Sequence, residues 1–139
     1  MPAFSKRRDG TMLAIDTNVV VRYLTNDHPQ QSLIVRSLVE SQEVFVASSV
    51  LLECDWVLRS VYGYSRPAMA NAIRHFAGLP TVVLEHGERL VRVIEAAEAG
   101  MDFADALHLS AAFECEAFLT FDSKFIAATK GMTPVVRRP

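Results

Sequence analysis

Leu13-Ala14-Ile15-Asp16-Thr17-Asn18 near the amino end and Phe118-Leu119-Thr120-Phe121-Asp122 near the carboxyl end decide the fold. Each is a short apolar run that stops on an aspartate. Runs of this kind read as buried strands of a parallel sheet. In such sheets ligands bind in the crevice beyond the carboxyl ends of the strands. Two carboxylates delivered there from opposite ends of the chain suggest an acidic site that holds a divalent metal.

Working outward from these two runs, strands and helices alternate. A short helix is expected over 19–24, and Asp27-His28-Pro29 starts a second. A strand over 44–47 leads to Ser48-Ser49, which reads as the cap of an apolar helix. Val50, Cys54, Val57, Leu58 and Val61 share one face of that helix. Tyr62-Gly63-Tyr64-Ser65 breaks it, and a further helix covers 66–76. A third strand over 80–84 and a charged helix over 85–98 follow, with Gly100 as its left-handed terminator. A small-residue helix over 102–114, the strand at 118–121, a brief helix over 123–129 and an edge strand at 134–136 complete the chain. This alternation predicts an α/β sandwich with a mostly parallel central sheet of four to five short strands. Residues 1–11 are polar and aperiodic and read as a disordered tail, leaving 12–139 as one domain; Met12 is an alternative start.

Composition narrows the function classes. At 139 residues, half of them hydrophobic and 22% charged, the chain can bury a globular core. No apolar stretch approaches the roughly 18 residues that span a bilayer. The run after Lys6-Arg7-Arg8 stops at Asp16, too early for a signal peptide, which points to the cytoplasm. The four histidines lack i, i+4 pairing, which argues against zinc; Cys54 and Cys115 read as small core hydrophobes. Net charge is −2, but it becomes positive once four acids are assigned to a metal. Eleven of the fourteen basic residues are arginine, so a phosphate-bearing substrate is neither demanded nor excluded.

Asp16, Asp102 and Asp122 each stand at a helix start, and for each the bland reading is an N-cap. Glu53 is mid-helix, three residues after Val50 and four before Val57. It is thus expected on the apolar side, where an unpaired carboxylate is costly, unless that face is a rim or Arg59 pairs with it. Asp105 stacks over Leu109 and Ala112, again toward a buried direction, among small alanines. It could also complete a capping pair with Asp102, although Glu or Gln is usual there. Four carboxylates in one cleft repel unless a cation is present, and hard oxygen donors select Mg²⁺ or Mn²⁺. There is no Gly-rich phosphate loop and no serine–histidine motif, which leaves metal-dependent phosphodiester hydrolysis.

The motifs Ile15-Asp16-Thr17-Asn18, Ser49-Val50-Leu51-Leu52-Glu53, Asp102-Phe103-Ala104-Asp105-Ala106-Leu107-His108 and Leu119-Thr120-Phe121-Asp122 together resemble a PIN domain. Within that family they are similar to the VapC-type toxin ribonucleases. The resemblance runs from Met12 to about Val136. It implies that Asp16, Glu53, Asp105 and Asp122 form an acidic quartet that binds Mg²⁺, with Mn²⁺ as a substitute, and cleaves single-stranded or structured RNA. It implies that Thr17, Asn18 and Thr120 orient carboxylates or water, and that Asp102 is a cap or an outer ligand. It further implies a homodimer silenced by a small antitoxin protein; no membrane is expected, since no apolar stretch is long enough to span one. Arg22, Arg59, Arg66, Arg74 and Lys124 are candidate phosphate contacts or ordinary surface charges. Trp56 and Tyr62 are candidate base-stacking groups, or core or interface residues.

Two other classes compete. A phosphatase of the haloacid dehalogenase type also places an aspartate after its first strand, but wants a second acid where Asn18 stands. A non-catalytic PIN-like module that binds RNA or protein would need a decayed site, and all four acids are present.

Overall fold

The computed structural model describes residues 11–139; the amino-terminal tail read from the sequence therefore lies almost wholly outside the described residues. Three strands, β1 (Leu13–Ala14), β2 (Val44–Val46) and β3 (Val82–Leu84), form one parallel sheet in that order. Leu13 pairs with Val44, and Val46 with Leu84. Two more, β4 (Ala117–Leu119) and β5 (Val135–Arg137), form a second parallel sheet with Phe118 opposite Val136. Parallel neighbours require crossovers, and helices supply them. These are α1 (Thr17–Thr25), α2 (Pro29–Ser41), α3 (Ser48–Ser60), α4 (Arg66–Ala77), α5 (Gly87–Glu98), α6 (Phe103–Ala111) and α7 (Ser123–Ala128).

The α/β class and the parallel sense are as the sequence predicts, whereas the strands divide three and two rather than sharing one sheet. At two or three residues apiece, each strand offers few ladder hydrogen bonds, and β1 and β4 each pair on one edge only among the described residues. Leu13 and Leu119 are accordingly half exposed. The main core gathers Val20, Val44, Val46, Leu51, Leu58, Ile73 and Phe76, all fully buried, from the first sheet and helices α1, α3 and α4. A Leu58→Ala cavity there should destabilise by about 3 kcal/mol. Leu109, Phe125 and Val136 make a second, smaller core. Helix α6 joins the two, with Phe103 and Ala106 in the first and Leu109 in the second.

Two local expectations are corrected and a third holds. Ser48 and Ser49 do not cap α3: the N-cap is Ala47, with no side-chain bond. The Ser48 N–H instead donates to Glu85 Oε1 at 2.8 Å, an acceptor supplied from just past β3. Cys115 is exposed, because α6 ends at Ala111 before reaching it, while Cys54 is buried as read. Gly100 does hold a positive φ of 108°, so the helix stop lies where the glycine allows it.

Candidate metal centre

Asp16 follows β1 and caps α1. Its backbone is extended (φ −90°, ψ 169°), and Oδ1 accepts the Thr17 N–H at 2.7 Å. The residue is therefore held at a helix start, where the dipole favours its charge. Thr17 is buried, and its hydroxyl donates to Glu53 Oε1 at 2.5 Å, tying α1 to α3 across 36 residues of sequence. One hydroxyl thus fixes the second carboxylate beside the first. The capping and site readings of Asp16 are compatible, since only Oδ1 is used by the cap.

Glu53 itself departs from the expected burial: it is exposed, at the rim of the fold. The acid that α3 buries is Asp55, only 2% exposed. Arg59, one turn on, meets it with Nε–Oδ1 at 2.8 Å and Nη2–Oδ2 at 3.1 Å. That fork keeps the guanidinium pKa above its ordinary value, chiefly through the Asp55 bond. The inward face of α3 is Leu51, Cys54, Asp55 and Leu58; of the face read from the sequence, Cys54 and Leu58 are fully buried, Val50 and Val57 pack at its edge, and Val61 is exposed.

Asp102 caps α6, its Oδ1 accepting the Asp105 N–H at 3.0 Å while Oδ2 takes Arg66 Nη2 at 3.2 Å. Asp122 caps α7 through Oδ1, which accepts the N–H groups of Lys124 and Phe125 at 2.9 and 3.2 Å. Thr120 Oγ1 accepts the Asp122 N–H at 3.0 Å, so this hydroxyl orients the backbone that carries the acid. Asp105 is half-buried, and its carboxylate accepts no hydrogen bond from a described residue. Burial pushes its pKa up, and the Asp102 and Asp122 carboxylates push it further, with His108 and Arg66 offsetting part. Cys54 senses the first group in the same way. Burial, then Glu53, Asp16 and Asp55, raise its thiol to about 12, so it is protonated at neutral pH.

The acids thus stand in two groups: Asp16 with Glu53, and Asp105 with Asp102 and Asp122. Among the described residues no three histidine, cysteine or carboxylate side chains close on one point to hold an ion. The donor chemistry nevertheless suits a hard divalent cation, since every donor is a carboxylate oxygen and Asp105 is destabilised by its neighbours' charge. Four of the five suggested phosphate contacts are already engaged: Arg22 with Asp27, Arg59 with Asp55, Arg66 with Asp102 and Arg74 with Glu98. Lys124 makes no ion pair with a described residue. Trp56 is 59% exposed and is not a core residue.

A cleft of about 320 Å³ opens beside Asp16 and Glu53, and Val57, Val61, Tyr62 and Arg22 continue its wall. Val57 does pack against the main core, as expected, but Val61 is exposed, and the cleft that both line was not foreseen. Its signal was the i, i+4, i+8 spacing of Glu53, Val57 and Val61.

Asp16 and Asp122 thus follow strands of a parallel α/β frame. A family model of the PIN domain matches residues 13–131. The chain belongs to the PIN domain family, whose members are generally metal-dependent nucleases. No curated protein matches it. No described helix is long and apolar enough to cross a membrane.

Proposed function

We propose that this PIN domain is a divalent-metal-dependent endoribonuclease of the VapC toxin type, using Mg²⁺ with Mn²⁺ as a substitute. The observation that carries the reading is Asp105, a half-buried carboxylate crowded by Asp102 and Asp122, whose charge His108 and Arg66 offset only in part. Asp16, Glu53, Asp105 and Asp122 are assigned as ligands and catalytic groups. When bound, the cation would supply Lewis-acid activation of the phosphodiester and lower the pKa of water. The chain's own part is positioning. Thr17 holds Glu53 in place, Thr120 fixes the backbone at Asp122, and Asp105, whose carboxylate accepts no hydrogen bond from a described residue, is left to meet the cation.

The toxin assignment rests on the four motifs in their order along the chain. It carries with it a homodimer, a small antitoxin protein as inhibitor, and a cytoplasmic site of action. The test is a digest of unstructured RNA with Mg²⁺. Cleavage should disappear with EDTA and fall more than about hundredfold in Asp16→Asn and Asp105→Asn, beyond what loss of an outer-shell partner alone causes. Cleavage that survives EDTA would overturn the metal role. Cleavage that survives either variant would remove that residue from the site.

A further inference from the structure

We infer that the cleft beside Asp16 and Glu53 seats one unstacked base of a single-stranded nucleic acid, with the Tyr62 ring as its platform and Arg22 at the neighbouring phosphate; this rests on, and deepens, the nuclease reading. The cleft is continuous with the acids, since Asp16 and Glu53 line the same space as Val57, Val61 and Tyr62. Glu53 and Val57 succeed one another on one face of α3, and Val61, its C-cap residue with right-handed helical backbone angles, continues that face, so one face leads from carboxylate to apolar wall. A phosphate is unwelcome at the acidic end without a cation, whereas the flat, weakly polar face of a base suits the valine and tyrosine end.

Tyr62 is already fixed for such a role. Its hydroxyl donates to Asp27 Oδ2 at 2.6 Å and accepts from Arg22 Nη1 at 3.4 Å. Arg22 Nε is in turn held by Gln31 Oε1 at 2.7 Å. The ring therefore loses little rotamer freedom on binding, which favours affinity. With the hydroxyl committed, the ring contributes stacking rather than base-edge reading, so several bases should be accepted. Arg22 Nη2 makes no hydrogen bond to a described residue and remains for a phosphate oxygen. Val61, 64% exposed, leaves the rim open for a strand to enter. A base inside a duplex cannot reach this wall, so the cleft selects unpaired segments.

The experiment measures fluorescence anisotropy of a labelled single-stranded RNA decamer, intact or with one abasic position moved along it, in EDTA and again in Mg²⁺. Wild type should lose about tenfold in affinity at one abasic position, the size of one stacked base. Tyr62→Leu should bind the intact decamer about tenfold more weakly and ignore the abasic position. Tyr62→Phe should keep the abasic effect but bind the intact decamer somewhat more weakly, because its ring lacks the Asp27 and Arg22 hydrogen bonds, and Val61→Trp, which fills the cleft, should resemble Tyr62→Leu; circular dichroism confirms folding of each. In the cleavage arm Tyr62→Leu should raise KM about tenfold with kcat little changed. Equal binding by wild type and Tyr62→Leu, a persisting abasic effect in Tyr62→Leu, or no decamer binding by wild type overturns the proposal; the first two leave the cleft to a protein segment. Binding with the predicted pattern but no cleavage in Mg²⁺ would leave the base subsite standing and remove the nuclease reading.

Discussion

The two acid groups differ in how the protein treats them. Beside β1 the carboxylates are furnished with donors: Asp16 accepts a backbone N–H, and Glu53 accepts the buried Thr17 hydroxyl. At α6 the arrangement is the reverse for one member. Asp102 and Asp122 have backbone donors, but Asp105 faces both and accepts nothing from the described residues. The first group is thus ordered by hydrogen bonds before any ion arrives. The second keeps one carboxylate under repulsion that an ion would relieve. The contrast is therefore between a pair of acids held by donors and one acid whose charge His108 and Arg66 offset only in part.

The sharpest way to break this comparison is to remove the crowded charge. Asp105→Asn should abolish calorimetric Mn²⁺ binding and lower RNA cleavage by more than about hundredfold, while Thr17→Val should leave Mn²⁺ binding measurable. Equal loss in both would show that the two groups do not divide the work. Next in size is the acid that belongs to neither group. Arg59→Met leaves Asp55 buried without its fork and should destabilise by about 2–3 kcal/mol in urea unfolding, at the low end because Arg59 is partly solvated. If the cleavage rate of the folded variant also collapses, Asp55 is not merely structural. Third is the hydroxyl between Asp16 and Glu53. Thr17→Val should lower activity by about tenfold, and Thr17→Ser should restore it, because only the Oγ1–Oε1 bond is at issue. Failure of the serine to rescue would assign the effect to packing of this buried side chain.

α3 shows why part of this was legible in sequence and part was not. The frame was readable because β1 and β4 are apolar runs ending near acids, and period and punctuation survive without tertiary knowledge. The caps at Asp16, Asp102 and Asp122 were readable for the same reason: a helix start is a local event. Which acid of α3 lies inward was not. Glu53 and Asp55 stand two positions apart, about 200° around the helix axis. Apolar residues surround both, so periodicity alone chose the wrong one. What decides is a pair interaction, the Arg59 fork one turn beyond Asp55, which makes burial of an acid tolerable. The Ser48 to Glu85 contact is hidden in the same way, since its partner stands 37 residues away. The division of the strands into two sheets depends on edge pairing, which a run of three apolar residues does not specify.

The smallest expected effect tests the repulsion itself, apart from any catalysis. The Asp105 carboxyl titrates above its ordinary 3.8 in the folded protein, through burial and then the charges of Asp102 and Asp122. Between 3.8 and that raised value the folded state keeps a proton that the unfolded chain has released. Stability contributed by this group is therefore full below the window, falls as pH rises through it, and stays lower above. Asp105→Asn carries no such slope. Urea unfolding without metal should find the variant more stable than wild type at pH 7, with the advantage fading as pH drops below the window. Adding Mg²⁺ at pH 7 should stabilise wild type and narrow or reverse the difference, because binding to the folded state alone adds stability. A variant that is less stable than wild type at pH 7 without metal would mean that Asp105 already has a favourable partner, and the contrast between the two acid groups would be lost.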